Sequence, residues 1–416
     1  MCRISGFIRI LCLLQLSFHS SLSRAQGTIK ANDLAFALPL TARSAPSADW
    51  DIKGRPLFPK AFYERLVEAY QATSVGSAFR EESPLSTWRV VSARIAVCAP
   101  LGKTPSSDTE ELCWPELRLV WQPIQRKIRL HEIYMEASAD DRAVHAIYPL
   151  DPQTHLPASE AARAKILLQK LKTASSRPEA MRAALKADER REFMVLQQKL
   201  VRMFVKNAFS LRSPQLSERS YQEAGMRPEH EASASEELAF SERFKTFLRL
   251  YADPLVLAQL TAFSLPGGRE PAHLDEWIFL NFLGEAGTIR PEPMDVFSAR
   301  DGRRLLSLPG ALRGSMLRDD ERIYDLLETS QEATELQQSL LLFDVSDANL
   351  KQKLSDREQL LVANTSCVSC HKLNDLRFDF HNFGYLEDRS LTISPRVLKD
   401  VAWDLRWLKQ HGIGAL

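Results

Sequence analysis

The sequence predicts an α+β fold: an N-terminal unit of mixed antiparallel sheet and helices, followed by a mainly α-helical C-terminal region. Three observations indicate this. Residues 88–150 contain several runs in which apolar and polar side chains alternate, as in half-buried strands. Residues 157–208 are rich in Ala, Lys, Arg, Glu and Leu, which is typical of helices. Beyond residue 330, apolar residues recur at helical intervals.

The elements of the first unit follow from these patterns. Turn residues separate the early strands at hairpin-like intervals, so antiparallel pairing is expected. Residues 32–39 form one short extended piece, and residues 213–235 form a polar loop. The predicted elements are a helix over 59–73, strands over 88–98, 113–124, 128–137 and 143–150, helical residues 157–208 with a break at Pro178, a helix over 236–251, and strands over 255–265, 276–283 and 289–297.

The C-terminal region is predicted to be loop and then helix. Residues 330–343 and 348–363 have helical spacing of apolar residues. A last helix begins at Ser394, an N-cap residue followed by a first-turn proline, and ends at Gly412. Its apolar stripe consists of Val397, Val401, Leu405 and Leu408, with Trp403 and Trp407 beside it.

Length and charge set broad limits on the protein. The chain has 416 residues, enough for two or three domains with their own cores, and a formal net charge of +1. A net charge near zero gives no reason to expect nucleic acid or an anionic membrane as a partner. The patterns divide the chain into residues 1–25, a unit over 26–298 and a helical region over 299–416.

The first 25 residues have the features of a secretory signal peptide. Arg3 and Arg9 accompany a short apolar run over residues 8–18, and Ser23-Arg24-Ala25 places small residues where a signal peptidase cleaves. The apolar run is too short to span a membrane, and no later segment approaches transmembrane length. We therefore expect an exported protein, periplasmic or extracellular, with no transmembrane segment after the signal is removed.

The cysteines are consistent with an oxidising compartment. Cys2 and Cys12 lie in the predicted signal peptide. Cys98 and Cys113 lie at the ends of two predicted strands joined by a polar loop, so a disulfide between them is expected. A buried pair of reduced thiols is the alternative. Cys367 and Cys370 are the remaining two cysteines.

The segment Cys367-Val368-Ser369-Cys370-His371 has the C-x-x-C-H pattern of covalent haem attachment. Two cysteines three positions apart can each form a thioether to a haem vinyl group. The adjacent His371 can then bind the iron through a ring nitrogen. The motif predicts one covalently bound haem c held by Cys367, Cys370 and His371.

Other interpretations of this motif remain open. A thioredoxin-like C-x-x-C is expected within a βαβ pattern, which is not found around it. A structural zinc site requires two further ligands, and the chain has no second C-x-x-C or Cys/His pair at suitable spacing. A coincidental motif with a disulfide or two free thiols is the third alternative.

On this motif the chain resembles c-type cytochromes, over roughly the last hundred residues. The resemblance implies an axial histidine and a helix that closes the haem domain. It departs from the family pattern in two ways. Only forty-five residues follow His371, and none of them is methionine, so the usual downstream thioether ligand is missing.

A second resemblance covers the N-terminal two-thirds, which looks similar to a group of uncharacterised exported bacterial proteins. It implies secretion and no assigned activity. The segments that carry it are Asn32-Asp33-Leu34, residues 88–98 and residues 117–123.

The sixth iron ligand is predicted from the remaining residues. His381 lies ten residues beyond His371 among phenylalanines, and is the predicted sixth ligand. Its alternative role is that of a core histidine. Met316 is a weaker alternative ligand, as is Met294, because methionines mostly fill cores. The stripe of the last helix is expected to pack against the haem or the preceding helix, or to form ordinary core.

The sequence therefore predicts an exported monohaem protein that passes single electrons to an unknown redox partner, a carrier rather than a catalyst. The α+β unit would dock or position the haem. Two alternatives remain: a haem enzyme or gas sensor with an open iron site, and a secreted interaction protein without haem.

Overall fold

The described residues form a mixed sheet with helices packed on it, which confirms the predicted α+β class. In this computed structural model the described residues are 27–39, 46–71, 85–101, 112–128, 135–139, 142–174, 178–264, 278–292, 294–298, 304–307, 323–326 and 393–415. The predicted signal peptide lies outside them.

The helices of the described residues occur mainly in the middle of the chain. Three helices replace the single helical stretch predicted over 157–208, with the expected break at Pro178. The helices are α1 (Ala31–Leu34), α2 (Lys60–Gln71), α3 (Pro152–His155), α4 (Ala158–Thr173), α5 (Pro178–Ala184), α6 (Ala187–Phe209), α7 (Glu229–Ala232), α8 (Ala234–Tyr251) and α9 (Pro395–Gln410).

The strands form one large sheet and two small ones. The strands are β1 (Ala35–Ala37), β2 (Asp51–Ile52), β3 (Arg55–Pro56), β4 (Trp88–Pro100), β5 (Cys113–Ile128), β6 (Met135–Ala139), β7 (Arg142–Pro149), β8 (Gly225–Met226), β9 (Gln259–Ser264), β10 (Ile278–Glu285), β11 (Thr288–Glu292), β12 (Met294–Ser298), β13 (Arg304–Ser307) and β14 (Ile323–Leu326). The large sheet has the order β11-β10-β9-β7-β5-β4-β1-β8, with β6 paired to β5. Its pairs are antiparallel, as predicted, except that β1 and β8 are parallel.

One face of the large sheet is apolar. Residues directly opposite each other in antiparallel strands point to the same face. One such row runs across six strands and is buried throughout: Phe36, Ala93, Leu119, Ala146, Leu260 and Phe282. Phe36 packs edge-on against Phe240 and Phe244 of α8, at ring-centroid distances of 6.0 and 5.5 Å. This apolar face therefore packs against the helices.

The opposite face is more polar. The neighbouring row contains Arg94, Arg118, Ile147, Gln259 and Leu283, which point away from the apolar face because side chains alternate along a strand. Burial of β7 alternates accordingly, whereas β4 is buried along almost its whole length. Both sides of β4 are thus covered.

Several predicted elements differ from the observed ones. Residues 32–39 were expected to be extended, but Ala31–Leu34 forms a helical turn because the Asp33 carboxylate accepts the Lys30 backbone N–H at 2.8 Å. The strand predicted over 255–265 begins only at Gln259, after a 3₁₀ turn that Asp253 caps. The strand predicted over 289–297 is two strands, β11 and β12, in different sheets.

The C-terminal region contains strands as well as helix. β13 and β14 both pair with β12, which joins residues on either side of the predicted boundary at residue 298. The predicted helices over 330–343 and 348–363 lie outside the described residues. The last predicted helix is confirmed as α9.

Candidate functional site

The predicted haem-binding residues lie in a part of the chain that the structure does not describe. Cys367, Cys370, His371, His381 and Met316 all fall outside the described residues. The weaker candidate Met294 is the first residue of β12. The predicted disulfide cysteines, by contrast, are described.

The large sheet receives contributions from both sides of the motif in the chain. β11 is the edge strand of the large sheet and precedes the motif along the chain. α9 begins 24 residues after His371 and contacts β4 and α1. The chain therefore leaves the large sheet at β11, forms the small sheet of β12, β13 and β14 ahead of the motif, and returns to the large sheet at α9.

The ends of α9 are formed as its sequence predicts. The Ser394 hydroxyl accepts the Val397 backbone N–H at 3.2 Å, and Pro395 occupies the first turn. Gly412 follows the helix with φ of +64°, a left-handed conformation that glycine adopts without strain. His411 stacks on Trp407 at 4.0 Å between ring centroids. The helix therefore begins and ends at specific residues.

The apolar stripe of α9 packs in the core of the α+β unit. Val401, Trp403, Trp407 and Leu408 are buried in the same hydrophobic cluster as the sheet and its helices. Of the partners expected for this stripe, ordinary core packing is the one that these contacts support.

A buried ion pair fastens α9 to β4. Nη2 of Arg94 lies 2.6 Å from Oδ2 of Asp404, and neither side chain is more than 4% exposed. Nη1 of the same arginine donates to the Val397 carbonyl at 3.2 Å and lies 3.8 Å from Oδ2 of Asp400. Asp400 also lies 3.3 Å from Nε of Arg396. Both carboxylates come from α9.

These carboxylates offset like charges on the sheet. Arg94 and Arg118 are directly opposite each other on β4 and β5, an arrangement that repulsion disfavours. Arg118 pairs with Glu116 at 2.5 Å. Although burial lowers the pKa of Arg118, the charges of Glu116, Asp400 and Asp404 outweigh it and leave the pKa raised. The acidic side chains of α9, together with Glu116, therefore stabilise the positive charges on the polar face of β4 and β5.

The predicted disulfide partners are next to each other. Cys98 and Cys113 are buried, with 4.9 Å between their Cα atoms and their sulfur atoms at bonding distance. Gln197 of α6 donates to the Cys113 carbonyl at 2.8 Å. The cross-link joins β4 to β5 at the point where the intervening loop begins and ends.

A second buried charge cluster holds the N-terminal segment. Arg212 donates to both carboxylate oxygens of Asp33, from Nε to Oδ1 at 2.8 Å and from Nη2 to Oδ2 at 2.5 Å. Arg227 is fully buried, lies 2.9 Å from Glu229 and donates to the Asn32 carbonyl at 2.9 Å. These pairs join α1 to the residues that follow α6. The region predicted as a polar loop over 213–235 is therefore a tightly bonded part of the fold.

Two titratable groups of this cluster have perturbed pKa values. Burial, and then the charge of Glu229, raises the pKa of Tyr221, whose hydroxyl donates to Glu229 at 2.8 Å. Burial lowers the pKa of His230, although Glu237 lies 3.7 Å from its Nδ1 and opposes the shift. Both groups are thus held neutral by their surroundings.

The sequence interpretation overlooked both charge clusters. One signal was present in α9, because Asp404 continues the line of Val397, Val401 and Leu408 at spacings of four, three and four residues. An acidic residue within an apolar stripe indicates a buried partner. Nothing in the local sequence identifies Arg94 as that partner, since the two residues are 310 positions apart.

Within the described ranges, no group of three or more His, Cys, Asp or Glu side chains is arranged to hold a metal ion. The helices of those ranges also include none that is long and apolar enough to cross a membrane. No family model matches the chain, and no curated protein or solved structure is significantly similar to it. The two resemblances noted from the sequence stay predictions.

Proposed function

We propose that this protein is an exported monohaem c-type protein that transfers single electrons through one covalently bound haem c. The observation that carries the proposal is the pentapeptide Cys367–His371, which supplies two thiols and an imidazole in the required order. The predicted signal peptide supports export, the route by which such haems are attached in bacteria.

The supply of cysteines fits this cofactor. Cys98 and Cys113 pair with each other, and Cys2 and Cys12 belong to the predicted signal peptide. The thiols of Cys367 and Cys370 are therefore the two that remain for attachment. Each S–H adds across one vinyl C=C, so that sulfur bonds to one carbon and hydrogen to the other. The addition has no leaving group and needs no oxidant, but both cysteines must be reduced.

The iron of the haem needs protein ligands in addition to the two thioether bonds. His371 would bind the iron of the attached haem, and His381 would be its second protein ligand, with Met316 as the alternative. When bound, haem c supplies a one-electron iron couple, whose potential rises if methionine rather than histidine is the second axial ligand. Two protein ligands would close the iron to small molecules and suit electron transfer.

The α+β unit is proposed to position the haem-bearing segment. The support is that the chain leaves the large sheet at β11, ahead of the small sheet and of this segment, and returns to it at α9, which contacts β4. The buried pair of Arg94 and Asp404 holds α9 on β4. A segment attached at both ends has fewer accessible arrangements than a domain on a single linker.

Haem attachment can be tested directly. We expect the full chain, expressed with its leader in a bacterium that matures c-type cytochromes, to carry one haem that resists acid-acetone extraction. The peptide containing Cys370 should gain the mass of one haem. The double variant Cys367→Ala/Cys370→Ala should lose all covalent haem. The matched control Cys98→Ala/Cys113→Ala also removes two cysteines and should retain it.

The outcomes separate the proposal from its alternatives. A protein without covalent haem, whose Cys367 and Cys370 form a disulfide or bind zinc, would reject the proposal in favour of a secreted interaction protein. Haem that binds carbon monoxide without any ligand exchange would instead indicate an open site, as in a gas sensor or enzyme. If His381 is the sixth ligand, His381→Ala should convert a low-spin spectrum to high-spin, whereas Met316→Leu should not.

A further inference from the structure

The charge of this protein is unevenly distributed. Helices α4, α5 and α6 contain ten basic and five acidic residues, a net charge of +5. The rest of the chain carries a net charge of −4, which brings the total to +1. The net charge of the whole chain gave no reason to expect an anionic partner. It is small only because the rest of the chain offsets a basic layer of helices.

Most acidic residues of this layer are already paired. Between α4 and α6, Glu160 pairs with Lys199 at 2.5 Å, and Glu189 pairs with Lys170 at 2.6 Å. Glu192 lies 2.8 Å from Nε of Arg163. These pairs hold the two helices together and neutralise the basic side chains between them.

A line of basic residues on α6 remains without an acidic partner within the described part of the chain. Arg191, Arg202 and Lys206 are exposed, and no carboxylate of the described residues pairs with them. Their spacings of eleven and four residues place them on one side of the helix. The line is about 22 Å long, at 1.5 Å per residue.

Exposed aliphatic side chains accompany this line. Val195, on the same side of α6, is 53% exposed, and Ile166 of the adjacent α4 is 50% exposed. Single exposed apolar residues are ordinary, but here they lie among cations on a helical layer that is fastened to the sheet. We call Arg191, Val195, Arg202 and Lys206 the basic line.

We propose that the basic line is a docking surface for the anionic headgroups of a phospholipid bilayer. A row of long basic side chains on a convex helix needs no matching cavity, and a headgroup layer presents a continuous anionic plane. Each Lys or Arg near such a surface contributes on the order of 1 kcal/mol, and the attraction weakens within a Debye length as salt rises. Exposed aliphatic side chains add contact with the boundary of the acyl chains.

This surface would hold an exported protein reversibly against a membrane. It does not depend on the haem, since none of its residues belongs to the proposed haem site. An acidic protein is the competing partner, and it would require shape complementarity as well as charge.

The test uses the mature full-length protein and vesicles of two compositions: phosphatidylcholine alone, and equal parts phosphatidylcholine and phosphatidylglycerol. We expect co-sedimentation with the anionic vesicles only, weakening as ionic strength rises. The variant Arg191→Gln/Arg202→Gln/Lys206→Gln should bind roughly 100-fold more weakly, from about 1 kcal/mol for each of the three charges. Circular dichroism should show an unchanged fold, because all three side chains are exposed.

A matched control removes the same charge elsewhere. Lys60→Gln/Arg65→Gln/Arg249→Gln substitutes three exposed basic residues of α2 and α8 and should bind as the wild type does. Equal losses in both triple variants would overturn the proposal, because net charge alone would then explain binding. Failure of the wild type to bind anionic vesicles would overturn it too. If the wild type then bound poly-glutamate resin and the basic-line variant did not, the surface would be assigned to acidic proteins.

Discussion

The two faces of the large sheet are stabilised by different physical interactions. On the apolar face, the row from Phe36 to Phe282 is buried against helices, and its contacts need no particular partner beyond a complementary shape. On the polar face, Arg94 and Arg118 lie side by side, and α9 supplies Asp400 and Asp404 as partners of Arg94. One face tolerates many apolar sequences, whereas the other depends on a few specific pairs.

The polar face contributes specificity to the fold. A buried ion pair adds little net stability relative to apolar residues of the same volume, because desolvation offsets the attraction. It penalises wrong arrangements strongly, since a helix without carboxylates would leave Arg94 buried and unpaired. The apolar face thus supplies most of the stability, and the polar face determines which helix docks on β4.

The largest effect should come from breaking the pair on the polar face. Asp404→Ala leaves Arg94 buried beside α9, and we expect a loss of about 3 to 5 kcal/mol in the free energy of unfolding. Urea unfolding at neutral pH measures it. The double variant Arg94→Met/Asp404→Leu should recover most of that loss, because it removes both charges. A loss below about 1 kcal/mol for Asp404→Ala would mean that Asp400 alone suffices as the partner.

The elements that could be predicted are those with local signals. The alternation of β7 and the N-cap and terminal glycine of α9 are contained within short stretches of sequence. The helical turn at Ala31–Leu34 was missed because Asp33 both caps the turn and pairs with Arg212, a residue 179 positions away. Strand order and the docking of α9 on β4 likewise depend on contacts between distant residues.

The same distinction applies to the proposed site. Cys367, Cys370 and His371 can be recognised because their chemistry requires them to be contiguous in the chain. A sixth ligand is selected by tertiary structure, so the choice between His381 and Met316 could not be made from local spacing. The basic line was missed for a related reason, since it emerges only when α4 and α6 are placed side by side and their acidic residues are paired.

A smaller loss is expected on the apolar face. Leu119→Ala creates a cavity between Ala93 and Ala146, and we expect a loss of about 3 kcal/mol, within the 2 to 5 kcal/mol range for buried leucines. The control Leu119→Met keeps the volume and should cost less than about 1.5 kcal/mol. Urea unfolding again provides the measurement. If Leu119→Met destabilised as much as Leu119→Ala, the apolar face would require specific shapes as strictly as the polar face requires specific charges.

The smallest effect should come from the helix caps, where the two faces can be compared with matched changes. Ser394 caps α9 and Ser233 caps α8, each accepting a backbone N–H at 3.2 Å. Either Ser→Ala substitution should cost about 1 kcal/mol in unfolding free energy.

The two cap substitutions should differ in how their unfolding free energies couple to the loss of Asp404. α9 is held on β4 by Asp404, so Ser394→Ala should cost less in an Asp404→Ala background, where docking of the helix is already weakened. Contacting residues commonly show interaction energies of about 0.5 to 3 kcal/mol, whereas distant sites add. Ser233→Ala should therefore be additive with Asp404→Ala. Additivity for Ser394→Ala as well would indicate that α9 stays docked through its apolar stripe alone, and that the ion pair selects the helix without holding it.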